Sequence, residues 1–174
     1  GPREAFISKA KSGLRIEPFA VNMKEMKPTS TLFYRQQHSN FSFTTTVEYK
    51  PGSEKYLAGI VCLQSEVSHY VFGITKKGDE YVILLERTEL KDRRSRTVAS
   101  SIIGSAKIDI NGPIRLKVES KGDEYSFSYA TDAGSFINLG GTVSGDILST
   151  NVAGGFTGTL LGLYATSANT IQPE

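Results

Sequence analysis

Tryptophan is absent, cysteine occurs once and histidine twice among 174 residues, and each shortage closes off a class of explanation. A single thiol, Cys62, cannot close a bridge within the chain. The two histidines, His38 and His69, lie 31 positions apart, and neither has a second His or Cys at ligand spacing, which argues against a zinc centre. Charge of either sign is scarce in excess: 20 Lys and Arg face 18 Asp and Glu, a net of +2 that argues against nucleic acid as the main partner. There is no run of 18 apolar residues, so no membrane-spanning helix is expected, and the first 20 residues hold no apolar stretch of the signal-peptide kind. No G-x-S-x-G elbow or Walker loop occurs either. Nor does a repeat of 20 to 50 residues, which disfavours a propeller or solenoid.

What is abundant is small and hydroxylated. Gly, Ser and Thr together make 51 residues, a composition suited to short strands joined by tight turns. Gly1-Pro2 reads as the scar of a cleaved tag, which leaves residues 3–174 as one domain and points to a fragment of a longer chain. At this size roughly 70% of the unfolded chain's surface is buried on folding, enough for a core without metal or disulfide staples.

From residue 31 onward the dominant period is two. Phe41, Phe43, Thr45, Val47 and Tyr49 alternate with Ser42, Thr44, Thr46 and Glu48, so one face is apolar and the other hydroxyl-rich. The pattern recurs in Tyr70, Phe72 and Ile74, in Ile114, Leu116 and Val118, and in Tyr125, Phe127 and Tyr129. The apolar runs 57–63 and 81–85 suit strands covered on both faces. Gly78, Gly122 and Gly134 mark tight turns that favour antiparallel neighbours. The best helical candidate, residues 20–27, is short and is stopped by Pro28. About a dozen short strands therefore predict a two-sheet antiparallel sandwich or a barrel.

Candidate chemistry is thin. Cys62 lies in an apolar strand and reads as a buried small hydrophobe. Asp79, Asp123, Asp132 and Asp146 sit in glycine-containing turns, where bonding to the local backbone accounts for them, although loop carboxylates and carbonyls leave calcium possible. The basic stretch Lys91, Arg93, Arg94 and Arg96 reads as a solvated loop or strand edge, with an anionic-ligand site as the minority reading. Nine Phe and eight Tyr are the richer resource. Most must be core, but a sandwich with rings at its loop ends offers a stacking platform for the apolar face of a pyranose.

The segment Arg115-Leu116-Lys117-Val118, then Tyr125 to Asp132, and above all Gly154-Gly155-Phe156-Thr157-Gly158 with Gly162-Leu163-Tyr164-Ala165, resembles the C-terminal β-sandwich domain of family 43 glycoside hydrolases. Gly13-Leu14-Arg15-Ile16, Thr31 to Gln36 and Ala58 to Val61 extend the likeness over residues 13–165. The resemblance implies an all-β, concanavalin A-like jelly roll, similar to xylan-binding modules, standing beside a five-bladed propeller that performs β-xylosidase or α-arabinofuranosidase chemistry. It implies that the isolated domain is not an enzyme, that Phe156 closes a sugar subsite, and that Gly154, Gly155 and Gly158 let its loop approach closely. Tyr70, Tyr34 and Tyr164 are weaker candidates for sugar contact. Expected partners are a xylan-type oligosaccharide and the propeller, with neither nucleic acid nor membrane, and a secreted or periplasmic bacterial setting is favoured. Two alternatives stand beside this: a purely structural interdomain module and an independent lectin-like sandwich.

Overall fold

The computed structural model describes the backbone of residues 6–10, 13–17, 30–36, 40–65, 67–131, 134–145 and 159–173, and side chains from residue 40 onward within those ranges, except residues 159 and 160. Every described element is a strand or a turn. The strands are β1 (Phe6–Ala10), β2 (Gly13–Glu17), β3 (Ser30–Gln36), β4 (Asn40–Val47), β5 (Leu57–Ser65), β6 (Ser68–Lys77), β7 (Glu80–Asp92), β8 (Thr97–Ile108), β9 (Ile114–Lys121), β10 (Glu124–Ala130), β11 (Ile137–Ser144) and β12 (Thr159–Thr166). The helical candidate 20–27 lies outside the described residues.

Two sheets face each other. One runs β11-β10-β9-β4 and the other β3-β12-β5-β6-β7-β8, while β1 and β2 form a separate hairpin. Every pairing is antiparallel. The non-sequential neighbours, β4 beside β9 and β12 between β3 and β5, exclude a simple meander and produce the jelly-roll sandwich expected.

Period two explains the four-stranded sheet directly. Ile114, Leu116 and Val118 on β9 and Tyr125, Phe127 and Tyr129 on β10 are buried, whereas Arg115, Lys117, Ser126 and Ser128 point the other way and are half-buried. Their inward set meets Ile60, Cys62, Tyr70, Phe72, Ile74, Ile83 and Leu85 of the six-stranded sheet in the main core. The apolar runs of β5 and β7 have a different cause. Leu57, Val61 and Leu63 of β5 and Leu84 of β7, with Val71 of the intervening β6, form a second buried cluster on the other face, joined by Tyr164 and by Ile171 of the C-terminal tail. A sheet buried on both sides has no polar face to show, so its sequence reads as continuous rather than alternating.

Two hairpins obey their turn residues. Lys77 pairs with Glu80 across Gly78-Asp79, and Lys121 with Glu124 across Gly122-Asp123. Gly78 at φ 60° and Gly122 at φ 61° occupy the first loop position, the type II′ pattern that matches strand twist. β7 and β8 are longer than the apolar run 81–85 predicts, because the strand continues through Arg87, Glu89 and Lys91 into a hairpin closed at residues 93–96.

Candidate functional site

Strand registers gather several loops at one end of the sandwich. Lys121 pairs with both Asn40 and Glu124, and Glu124 pairs with Ser144. In the other sheet Ser65 pairs with Ser68, Leu160 with Leu63 and His69 with Thr88. The chain therefore leaves the four-stranded sheet at Ser144-Gly145 and enters the six-stranded sheet at Thr159 at this same end. Residues 146–158, which carry Phe156, Gly154, Gly155 and Gly158, lie outside the described residues. Both of the segment's anchors are described.

The first anchor is held from beneath by aromatic rings. Tyr70 is buried, and its hydroxyl donates to the Ser144 carbonyl at 2.5 Å, tying β6 of one sheet to the end of β11 in the other. Its ring stacks on Tyr125 at 6.5 Å, Phe41 meets Tyr125 edge-on at 5.7 Å, and Phe127 lies 5.6 Å from Tyr70. Such pairs contribute about 0.5–1.5 kcal/mol each beyond the area they bury. Gly145 donates its N–H to the Asp123 carbonyl at 2.6 Å, and a Cβ there would come within 2.8 Å of the Tyr125 ring. Only a residue without a side chain lets the backbone pass this close. Gly122 is fixed in turn by its N–H bond to Asn40 Oδ1 at 2.9 Å.

Charge enters on β7. Arg87 Nε lies 3.1 Å from Glu89 Oε2, and Lys91 pairs with the other Glu89 oxygen. Arg87 pairs across the strands with Tyr70. Burial raises the pKa of the Tyr70 hydroxyl above its usual value of 10.0, while the adjacent Arg87 guanidinium pulls it the other way. The hydroxyl stays protonated near neutrality and so remains a donor to Ser144.

The sequence-derived candidates separate accordingly. Tyr70 is a core ring that supports the loop anchor, and it presents no ring face to solvent. Tyr164, 2% exposed, belongs to the second buried cluster and pairs with Gly59 and Thr31, away from this end. Tyr34 sits on β3 opposite Leu161, near the second anchor, and its side chain lies outside the description. Cys62 is fully buried, and burial drives its thiol pKa strongly upward. Asp79 and Asp123 occupy the second positions of their hairpin turns, and Asp132 and Asp146 lie outside the described residues. Among the described residues no three His, Cys, Asp or Glu side chains gather as a metal site. Arg87 and Glu89 were not singled out by the sequence reading. Their signal was the continuation of the β7 alternation beyond Ile83 and Leu85, at positions of the same parity.

The opposite end differs in character. A shallow cleft of about 390 Å³ there is lined by Gly52, Ser53, Glu54, Lys55, Lys76 and Gly78, with no aromatic ring. Asn169 pins the C-terminal tail beside it, donating to the Glu54 and Ile171 carbonyls at 3.0 and 2.9 Å.

Comparison with known proteins gives a consistent picture. The model of the β-xylosidase C-terminal concanavalin A-like domain matches residues 2–173. A non-reducing end α-L-arabinofuranosidase from Bacteroides ovatus is 28% identical over 159 residues, covering 91% of this chain and 28% of that protein. A family 43, subfamily 12 protein retrieved from a capybara gut metagenome is 36% identical, with a TM-score of 0.84, over 92% of this chain and 30% of its own. The chain thus spans under a third of the length of these two relatives. The carbohydrate-binding module of family 66 from Bacillus subtilis shares the fold at 15% identity and a TM-score of 0.51, over 97% of this chain and 92% of its own.

Proposed function

We propose that this chain, which belongs to the family of β-xylosidase C-terminal concanavalin A-like domains, binds a xylan-type oligosaccharide at the end where residues 146–158 are anchored. It acts without catalysing bond cleavage itself and presents that sugar to, or closes it within, the propeller catalytic domain of a family 43 glycoside hydrolase. The observation that carries this reading is the Tyr70–Ser144 hydrogen bond across the two sheets. It fixes the stem of the Phe156 segment on a buried aromatic stack instead of leaving it to solvent, and a stem held this way limits the ordering entropy that sugar binding must overcome. Burying 60–80 Å² of a pyranose face on one ring contributes about 1.5–2 kcal/mol. Two such contacts with a few hydrogen bonds then correspond to affinities of about 1 μM to 1 mM.

Titration calorimetry with xylohexaose tests the reading. Wild-type protein binds in that range, Phe156→Ala lowers the affinity at least about fivefold, and neither protein hydrolyses nitrophenyl xyloside or arabinofuranoside. Equal binding by the two proteins rejects Phe156 as the contact. No heat from either, alongside tight docking to a propeller domain, favours a purely structural role.

A further inference from the structure

Beyond the sandwich end, β7 and β8 run on as a two-stranded finger. Thr88 opposite His69 is the last rung that β7 shares with β6, after which, among the described residues, only β8 pairs with it. The four residues from Glu89 to Asp92 carry the finger about 13 Å past that rung. Residues 91–98 are all exposed. Between Glu89 and Thr97 stand four basic residues and two acidic ones, an excess of two, equal to that of the whole chain. The finger thus holds an excess equal to the chain's whole net positive charge, and the remainder is balanced.

Both acidic groups are engaged within the finger. Glu89 pairs with Arg87 and Lys91, and Asp92 Oδ1 accepts the Arg94 backbone N–H at 2.9 Å. The turn itself is costly. Arg96 has φ 58°, the one positive-φ residue other than glycine among the described residues. Glycine takes that conformation freely, and a hairpin turn ordinarily uses it there. An arginine at this position maintains a guanidinium at the fingertip at the expense of backbone strain, and strain held in an exposed loop points to use.

The neighbouring side chains indicate the class of ligand. Ser95 and Thr97 hydroxyls contact each other at 2.6 Å, Ser100 and Ser101 follow on β8, and Val98, 42% exposed, is the finger's one exposed large apolar group, opposite the half-buried Leu90. Protein interfaces have aromatic cores and are depleted in serine, so this surface is a poor match for an acidic protein patch. Hydroxyls, one apolar side chain and planar guanidinium forks match a sugar that carries a carboxylate. Resting on the carbohydrate reading above, we propose that the β7–β8 fingertip, through Arg93, Arg94 and Arg96, recognises uronic acid substituents on the polysaccharide that the domain engages.

Amide-resolved NMR titration at 50 and 300 mM NaCl tests this with two probes: a xylo-oligosaccharide bearing one glucuronic acid branch, and the unbranched neutral oligosaccharide of the same length. The acidic probe is expected to bind at least about fivefold tighter at low salt, to shift amides of residues 91–98, and to lose that advantage at high salt. The combined variant Arg93→Gln, Arg94→Gln, Arg96→Gly binds both probes equally. Arg96→Gly alone raises Tm by about 2–4 °C while weakening the acidic probe, so loss of binding cannot be ascribed to unfolding. Equal affinities of wild type for the two probes, or an undiminished preference in the combined variant, overturn the proposal while leaving the Phe156 reading standing. Failure of both probes to bind removes the two together. Failure of both probes with salt-dependent docking of the finger on the propeller domain assigns it to a protein surface instead. A preference that survives in Phe156→Ala but disappears with the finger arginines supports the finger independently of the loop.

Discussion

Replacing Tyr70 by Phe isolates one bond in the support of the Phe156 segment. The ring stays, together with its packing on Tyr125 and Phe127 at 6.5 and 5.6 Å, and only the hydroxyl that donates to the Ser144 carbonyl at 2.5 Å is removed. A neutral hydrogen bond contributes about 0.5–1.5 kcal/mol net. Ser144 is exposed, so water can reach its carbonyl in the variant and no full desolvation penalty is added. The expected loss is therefore about 1 kcal/mol, which for a domain of this size lowers Tm by about 2–4 °C. Guanidinium denaturation should show a lower midpoint with an unchanged slope, since the surface exposed on unfolding is the same. The effect also depends on pH. Because burial raises the Tyr70 pKa above 10.0 in the folded state, its protonated form contributes stability that is complete below pH 10 and lost as pH climbs through the folded value. Wild type then loses stability faster than Tyr70→Phe above pH 10, and the gap between them narrows. Xylohexaose affinity falls in the variant at neutral pH through a less ordered stem, by about twofold to fivefold. A variant as stable as wild type at pH 7, or one whose gap stays constant up to pH 12, refutes the role assigned to this hydroxyl.

Two further tests address the core. Cys62 is fully buried with its thiol pKa driven up, so it should resist a thiol-specific reagent in native protein and react with one equivalent in denaturant; rapid native labelling would contradict that packing. Gly59→Ala puts a Cβ 2.0 Å from the Phe72 carbonyl oxygen and 2.5 Å from Gly73 Cα, both backbone atoms, so neighbouring strands must shift at a cost of about 2–3 kcal/mol, and an unaltered denaturation midpoint would refute the close approach.

Alternation made the four-stranded sheet legible, because one of its faces meets the core and the other meets water. Ile114, Leu116 and Val118 against Arg115 and Lys117 could hardly be read otherwise. The continuous runs of β5 and β7 announced burial on both faces but could not say against what. The hairpin turns were equally plain, since Gly78 and Gly122 are required by their positive φ. The strand order was not legible: β4 beside β9 and β12 beside β3 join residues far apart in the chain, and local pattern carries no information about such partners.

The candidate site divides along the same line. Residue type showed that aromatic rings and a glycine-rich segment near residue 156 were the chain's resources for sugar contact, and that the charge between 91 and 96 was basic. Tertiary structure decided that Tyr70 is an internal tie rather than a surface platform, that Tyr164 faces the other way, and that the basic stretch is the tip of a projecting finger. The physical reason is that a side chain's chemistry is local, whereas its exposure and neighbours depend on which distant strands pair beside it.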